Sequence, residues 1–522
     1  MIERVVENWL INTNEIGYQI PFAQYLLSEN YTILHLSSHG QMEQGKDIIS
    51  LDNKNIPCAH QLKGGNIDLS EWRAIKGEID ALVEIPIHYP GIDKSIMHRA
   101  VLVTNGTITD PVRREIDDLN VTYKNRNFPQ LELITQRDLL KRFLKFHHTF
   151  LPREPTDFKL FLDLVFSNER ALIDKKLYTT FIESILFSEK ETPIQLSRKI
   201  ASGLLLNQYI LAKYEKSQNH VALVEACTLF GSYMLALVEK HSLNEKYWKS
   251  SFDLVLRLIT EGLESVKSEF LQRKNYLENS WDGGLLYRAR LTMVIGWLSA
   301  LELYYKQNDN THVLDERIIQ QIKTYRDSLW YWGESATGYF LMMSRLLDKS
   351  GDSQLSKHIL IELIAKICVE NQSDDGQGFP NPYYTVEQIM GVAYGLKEQA
   401  LVSESFSLQS YHLEAIVDML VRRNNRKELE ELWKIISKIL LLSEFKPSSK
   451  WIFLFWRTKK GEQVQRSYKN PQSWKELCDQ VLDYSLPDLP NTLKKSSFSY
   501  FFLLVYPHRI TRQSVKLIDR QE

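Results

Sequence analysis

Two short apolar runs separated by a polar tetrapeptide constrain this chain more than any other stretch. Ile48-Ile49-Ser50-Leu51 and Ile56 to Leu62 flank Asp52-Asn53-Lys54-Asn55. Runs of that length around such a turn predict a β-hairpin. Strand side chains alternate between faces, so Gln61 and Lys63 share one face while His60 and Leu62 take the other. Asp47 opens the first strand, and in the obvious register Asp47, Gln61 and Lys63 converge near one end of the same face. A carboxylate and an amide oxygen are hard ligands of the kind Mg²⁺ accepts, with several waters left on the ion. Such an ion lowers the pKa of a bound water and neutralises charge developing on a phosphate. A nearby lysine ammonium orients that water or stabilises the pentavalent phosphate. Glu43 adds a second carboxylate if the chain bends at Gly45. In a straight strand, residues four apart lie about 13 Å from each other, too far to share one ion.

Glu43-Gln44-Gly45-Lys46-Asp47-Ile48, followed by Gln61-Leu62-Lys63-Gly64-Gly65, resembles the PD-(D/E)xK nuclease superfamily. Within it the pattern is closest to the restriction-endonuclease and Mrr-like branch, where glutamine often replaces the acid of the (D/E)xK element. The resemblance implies that Asp47 and Gln61 bind metal, that Lys63 assists the attacking water, and that Glu43 is an accessory acid. The cofactor implied is Mg²⁺, with Mn²⁺ as a substitute. Leu69 to Leu82 reads as the next helix and Ala100 to Gly106 as a strand and turn. Asp110 to Leu119 reads as a helix, and Leu131 to Phe146 as a final strand and helix. This order resembles the family core over roughly residues 15 to 150. It implies a three-layer α/β restriction-endonuclease-like domain. Gln61 in place of an acid removes one negative charge from the metal site and makes binding lean more on Glu43.

Around the motif, Pro21 to Glu29 is expected as an amphipathic helix with Pro21 in its first turn. Gln24 on that helix is expected to be an exposed polar residue. Ser70 is expected to cap the helix that follows Lys63. Arg73 and Lys76, three apart on that helix, share a face that either touches phosphates or is simply solvated. Thr109-Asp110-Pro111 is a helix start, so Asp110 belongs to capping rather than catalysis.

Leu151-Pro152-Arg153-Glu154-Pro155 reads as a linker ending a 1–150 domain. From 156 to 445, apolar residues recur at three and four, as in Ile200-Leu204-Leu205-Ile210-Leu211. This predicts a large all-α domain, either an irregular bundle or a degenerate solenoid. From 446 to 522 the texture changes again. Lys446, Lys450, Arg457, Lys459, Lys460, Arg466 and Lys469 are interleaved with Trp451, Phe453, Phe455, Trp456 and Tyr468. One reading is a nucleic-acid surface carried by Lys459 and Lys460. The other is a buried strand, Trp451 to Trp456, with a solvated basic hairpin beyond it. Ser497 to Val505 is expected to pair with that strand in a small α+β extension.

Charge bears on the partner. The whole chain has a net charge of −1, and its first 150 residues hold 16 Lys+Arg against 19 Asp+Glu, a difference of −3. A nuclease domain with that balance needs a basic groove, another domain, a protein partner or self-association through the helical domain to hold DNA. The four cysteines form no zinc spacing and read as reduced thiols. No signal-peptide pattern opens the chain, and no apolar run reaches the ~18 residues of a membrane span. A cytoplasmic location without membrane association is expected.

Together these readings give a Mg²⁺-dependent endonuclease acting on DNA phosphodiesters. The resemblance implies a restriction or anti-phage defence effector. A repair or junction nuclease, and a non-catalytic DNA-binding scaffold with a nuclease-like domain, are the alternatives.

Overall fold

The predicted hairpin forms because its two apolar runs pair in register across the polar turn. Strand β2 (Ile48–Leu51) runs antiparallel to β3 (Pro57–Lys63), with Ile48 opposite His60 and Leu51 opposite Pro57. The Asp52 carboxylate accepts from the Lys54 and Ile56 amides at 2.9 Å each, and Asn55 takes the left-handed turn position at φ 62°. In this computed structural model the residues described are 6–7, 10–11, 13–36, 46–89, 92, 96–150, 155–187, 192–273, 277, 284–372, 379–395, 408–423, 425–444, 449–457, 465–469, 474–482 and 489–520.

The hairpin belongs to a mixed five-stranded sheet with strands in sequence order. Strand β1 (Thr32–Leu36) pairs antiparallel with β2, while β4 (Arg99–Thr104) and β5 (Leu131–Ile134) continue the sheet in parallel from β3. Parallel neighbours need crossovers, and helices supply them. Helix α1 (Glu15–Ser28) precedes β1; α2 (Leu69–Glu84) joins β3 to β4; α3 (Asp110–Asn125) joins β4 to β5; α4 (Gln136–Phe150) follows β5. Trp72, Ile75, Ile79 and Leu82 of α2 and Val112 and Ile116 of α3 pack on Ala59, Ala100 and Leu102. Since Gln61 is on the Ala59 side of β3, the α2 side of the sheet is the side of the motif. On the other side Phe22 of α1 meets the His60 ring edge-on, 5.5 Å between centroids.

Helix α1 starts six residues earlier than the sequence reading placed it. The Asn14 side chain caps it by accepting from the Gly17 amide at 2.7 Å, so Pro21 lies inside the helix. One lost backbone bond is offset by burial of Tyr18, Phe22, Ala23 and Leu26. Gln24 is corrected too: it is fully buried, and its Oε1 accepts from Ser251 Oγ at 3.4 Å. At α2 the cap is Asp68, which accepts from the Ser70 and Glu71 amides, and Ser70 is already helical.

The chain forms two compact units, Met1–Asn219 with Leu243–Val255, and His220–Ser242 with Leu256–Glu522. The first holds, besides the sheet, α5 (Pro155–Val165), α6 (Lys175–Leu186) and α7 (Pro193–Lys216), which the sequence reading grouped with the all-α region. The second is largely helical. Its α8 (His220–His241) is long and apolar enough to cross a membrane by length and composition, although Glu225 interrupts its apolar run. Inside the protein 89% of its apolar window is buried. Helices α9 (Leu285–Asn308) and α10 (Thr337–Lys349) approach so closely that a Cβ on Gly296 would meet Tyr339 Cβ at 2.6 Å.

The last stretch departs from its expectation. Lys450–Leu454 is a 3-10 turn, not a strand, and Ser499–Val505 is a helix with all seven residues buried. A short continuous apolar run has no period, so it cannot tell a strand from a buried helix. The buried alternative holds for Ile452, Phe453 and Leu454, which lie in the core. A three-stranded sheet does form nearby in sequence, from Gln409–Ser410, Leu440–Glu444 and Gln465–Tyr468.

Candidate active site

Two loop ends and one helix face build the site. The strand β3 holds its last residues rigidly because Tyr18 of α1 braces them. Tyr18 Oη lies 2.9 Å from the Lys63 carbonyl and 3.1 Å from that of Val103, and it accepts from the Lys63 amide at 3.1 Å. Burial, reinforced by the charge of Glu15, pushes the Tyr18 phenol well above its ordinary pKa, so it stays neutral as a brace. After Lys63 the chain turns through Gly64 and Gly65. Gly65 has φ 79°, and its carbonyl lies where a Cβ on Gly106 would stand, so this crossing of two turns needs glycine at both places. Asn105 locks it: its Oδ1 accepts from the Gly65 amide, and its Nδ2 donates to the Leu10 and Thr13 carbonyls, each at 2.7 Å.

Asp47 meets the motif as the hairpin predicts. Its Oδ2 accepts from the Leu62 amide at 2.6 Å, which puts the carboxylate level with the Gln61-Leu62-Lys63 tripeptide. Asp47 and Gln61 are only 5% and 4% exposed. Gln61 Oε1 is buried with no hydrogen-bond partner among the described residues. A buried acceptor left without a donor costs about 1–3 kcal/mol. Such a cost is recovered when a donor or a cation arrives. Gln19 of α1, also buried, donates to the Asp47 carbonyl at 3.4 Å.

The residue that sequence reasoning missed is Glu78. Its Oε2 lies 2.6 Å from Lys63 Nζ and 3.3 Å from Gln61 Nε2, so one carboxylate oxygen bridges two motif side chains. A signal was present. Ile75 and Leu82, three before and four after it, are both buried, so Glu78 borders the stripe of α2 that faces the sheet. Burial lowers the Lys63 pKa, but the Glu78 hydrogen bond and the charges of Glu15, Glu78 and Asp47 raise it further, leaving it above its usual value. Lys63 is therefore an ammonium at neutral pH, an electrostatic group and not a base. Glu15, in the first turn of α1, was also missed, because the helix was expected to start later.

Lys46, next to Asp47, is buried, and burial pushes its pKa down to about 8. Its Nζ donates to the Ala81 carbonyl at 3.1 Å, one turn beyond Glu78 on α2. Arg73 and Lys76 are not brought to this site. On a helical projection they lie roughly 140° and 160° around α2 from Glu78. Lys76 is held by Asp80, which also accepts from Tyr123 Oη at 2.7 Å. Arg73 is exposed. Glu43, Lys459 and Lys460 lie outside the described residues.

The fit to a metal rests on donor chemistry. Among the described residues no three His, Cys, Asp or Glu side chains form a metal-holding group. One carboxylate and one amide oxygen make a thin set for Zn²⁺ or Ca²⁺. They suit Mg²⁺, which takes one or two protein carboxylates and keeps its waters. The partnerless Gln61 Oε1 is the observation in its favour. No protein-family model, no curated protein and no solved structure matches this chain.

Proposed function

We propose that the sheet-bearing unit is a Mg²⁺-dependent endonuclease that hydrolyses DNA phosphodiester bonds. The observation that carries the reading is the meeting of Asp47 with Gln61-Leu62-Lys63 through the 2.6 Å bond from the Leu62 amide. The mixed sheet, antiparallel to β3 and parallel beyond it, agrees with the order expected of a PD-(D/E)xK nuclease core. Asp47 and Gln61 would hold the ion, with Glu43 as the accessory acid. When bound, the ion supplies an acidified water and charge neutralisation at the phosphate.

The chain's own groups have separate tasks. Lys63, kept cationic, stabilises negative charge developing on the phosphate or orients the water beside it. Tyr18 and Asn105 hold the β3 end and its glycine turn, so Lys63 is presented from a fixed backbone. The choice of DNA, and a role in restriction or anti-phage defence, follow from the resemblance of the motif. With a difference of −3 over residues 1–150, this region relies on a basic groove, another domain, a protein partner or self-association to retain DNA. A non-catalytic DNA-binding scaffold is the second reading, favoured by the ion pair that already engages Lys63.

Plasmid nicking across a Mg²⁺ titration tests the proposal, with melting temperature measured for every variant. Asp47→Ala and Lys63→Ala should each abolish nicking without unfolding the protein. Nicking by Lys63→Ala at the parent rate sinks the enzyme reading.

A further inference from the structure

Lys63 and Gln61 already hold an anion, and it belongs to the protein. The Glu78 carboxylate takes one donor from each of two residues that share a face of β3. A phosphate oxygen uses the same kind of charged and amide donors as a carboxylate oxygen does. The three side chains are placed unequally. Lys63 is 15% exposed and Gln61 is buried, whereas the Glu78 side chain is 48% exposed. The donors are thus fixed by the strand, and the acceptor stands between them and solvent. Helix α2 need not move for the acceptor to leave. Trp72, Ile75, Ile79 and Leu82 pin its backbone, and a rotamer change at Glu78 alone releases the oxygen.

We infer that Glu78 is an internal occupant of the anion position at this site, displaced by a phosphate oxygen of the substrate. In the free protein it keeps the Lys63 ammonium and the Gln61 amide aimed at that position. On binding, a phosphate takes over both donors and Glu78 turns to solvent. The identity of the anion rests on the nuclease reading, whereas the exchange itself rests only on the bridging geometry. Competition of this kind weakens the apparent affinity by the fraction of time the donors are free.

The test compares binding by the full-length parent, Glu78→Ala and Glu78→Gln in EDTA, where no metal contributes, and follows plasmid cleavage by the same proteins separately with Mg²⁺. A short DNA duplex is followed by anisotropy and inorganic phosphate by calorimetry. Glu78→Ala should bind both about tenfold more tightly. Glu78→Gln should fall between, because it keeps an oxygen acceptor without the charge. Adding Lys63→Ala to Glu78→Ala should remove the gain. Unchanged or weaker binding by Glu78→Ala, with its melting temperature retained, overturns the exchange. A gain for phosphate with no DNA bound or cut by any variant keeps the exchange and rejects the nuclease. DNA cleavage by the parent with no gain in Glu78→Ala keeps the nuclease and rejects the exchange. If neither probe binds to any variant, both are rejected.

Discussion

Glu334 in the helical unit and Glu78 in the sheet-bearing unit each stand among donors, and the two clusters are finished differently. In the helical unit Glu334 is buried, and it accepts from Ser410 Oγ, from the Tyr411 amide at 3.0 Å and from the His412 amide at 3.2 Å. The Glu334 carboxylate satisfies the Ser410 hydroxyl and the two amides that meet it, as a buried carboxylate requires. At the β3 end Gln61 Oε1 has no partner among the described residues, and the bridging Glu78 is half exposed. A closed cluster fastens chain segments together, here residue 334 to the start of the helix Leu413–Arg422. An open one leaves free energy for something else to collect.

The largest effect expected from this contrast is at Lys63. Lys63→Ala should abolish cleavage while the melting temperature barely moves, since its ion pair reaches half-exposed Glu78 and such pairs are worth about 0–1 kcal/mol. If the melting temperature collapses instead, this cluster is structural and the contrast breaks.

Glu334 should behave in the opposite way. Glu334→Ala leaves Ser410, Tyr411 and His412 donors unpaired, at about 1–3 kcal/mol for each that finds no water. Thermal denaturation should show the loss, and DNA cleavage well below the melting temperature should not. The pH dependence sharpens this. Burial, against the lowering effect of the Ser410 and backbone hydrogen bonds, raises the Glu334 pKa to about 7. The folded state therefore binds the proton more tightly than the unfolded chain. The stability it contributes is complete below about 4.5 and is lost as pH rises through 7. Glu334→Gln cannot ionise, so its melting temperature relative to the parent should climb between pH 5 and 8. His412 acts on the other side. Burial lowers it from 6.5 to about 3, so stability is lost as pH falls below 6.5. A difference curve for Glu334→Gln that stays flat with pH means the carboxylate is not buried as described.

Gln61 gives a smaller and more discriminating test. Gln61→Ala removes both the partnerless oxygen and the amide that meets Glu78, and activity should fall. Gln61→Glu restores the acid commoner in the resembled family, and metal affinity and activity should hold or rise. An inactive Gln61→Glu with full stability places the metal elsewhere. The smallest effect is expected far along the chain. Lys459→Glu with Lys460→Glu should weaken DNA binding and reduce its salt slope by about 2 if both meet phosphates. An unchanged slope assigns the basic stretch to structure.

Sequence by itself determined what repeats locally. The apolar runs Ile48-Ile49-Ser50-Leu51 and Ile56 to Leu62 around a polar turn specified the hairpin, and the two-residue repeat of a strand put Gln61 and Lys63 on one face. The 69–82, 110–119 and 131–146 readings found the following helices and strands, since each carries its own period or cap. Tertiary structure alone decided what meets across the chain. Glu78 reaches Lys63 over 15 residues and Tyr18 reaches it over 45, and neither is encoded in any local period. Gln24 reads as polar and therefore exposed, yet α1 buries it where the Ser251 hydroxyl donates to it. Tyr500 to Val505 is a continuous apolar run, so no periodicity could choose its conformation, and in the structure Ser499–Val505 is a fully buried helix. The physical reason is common to all four. Local sequence sets which face a side chain takes on its own element, while packing free energy, summed over distant neighbours, decides what that face meets.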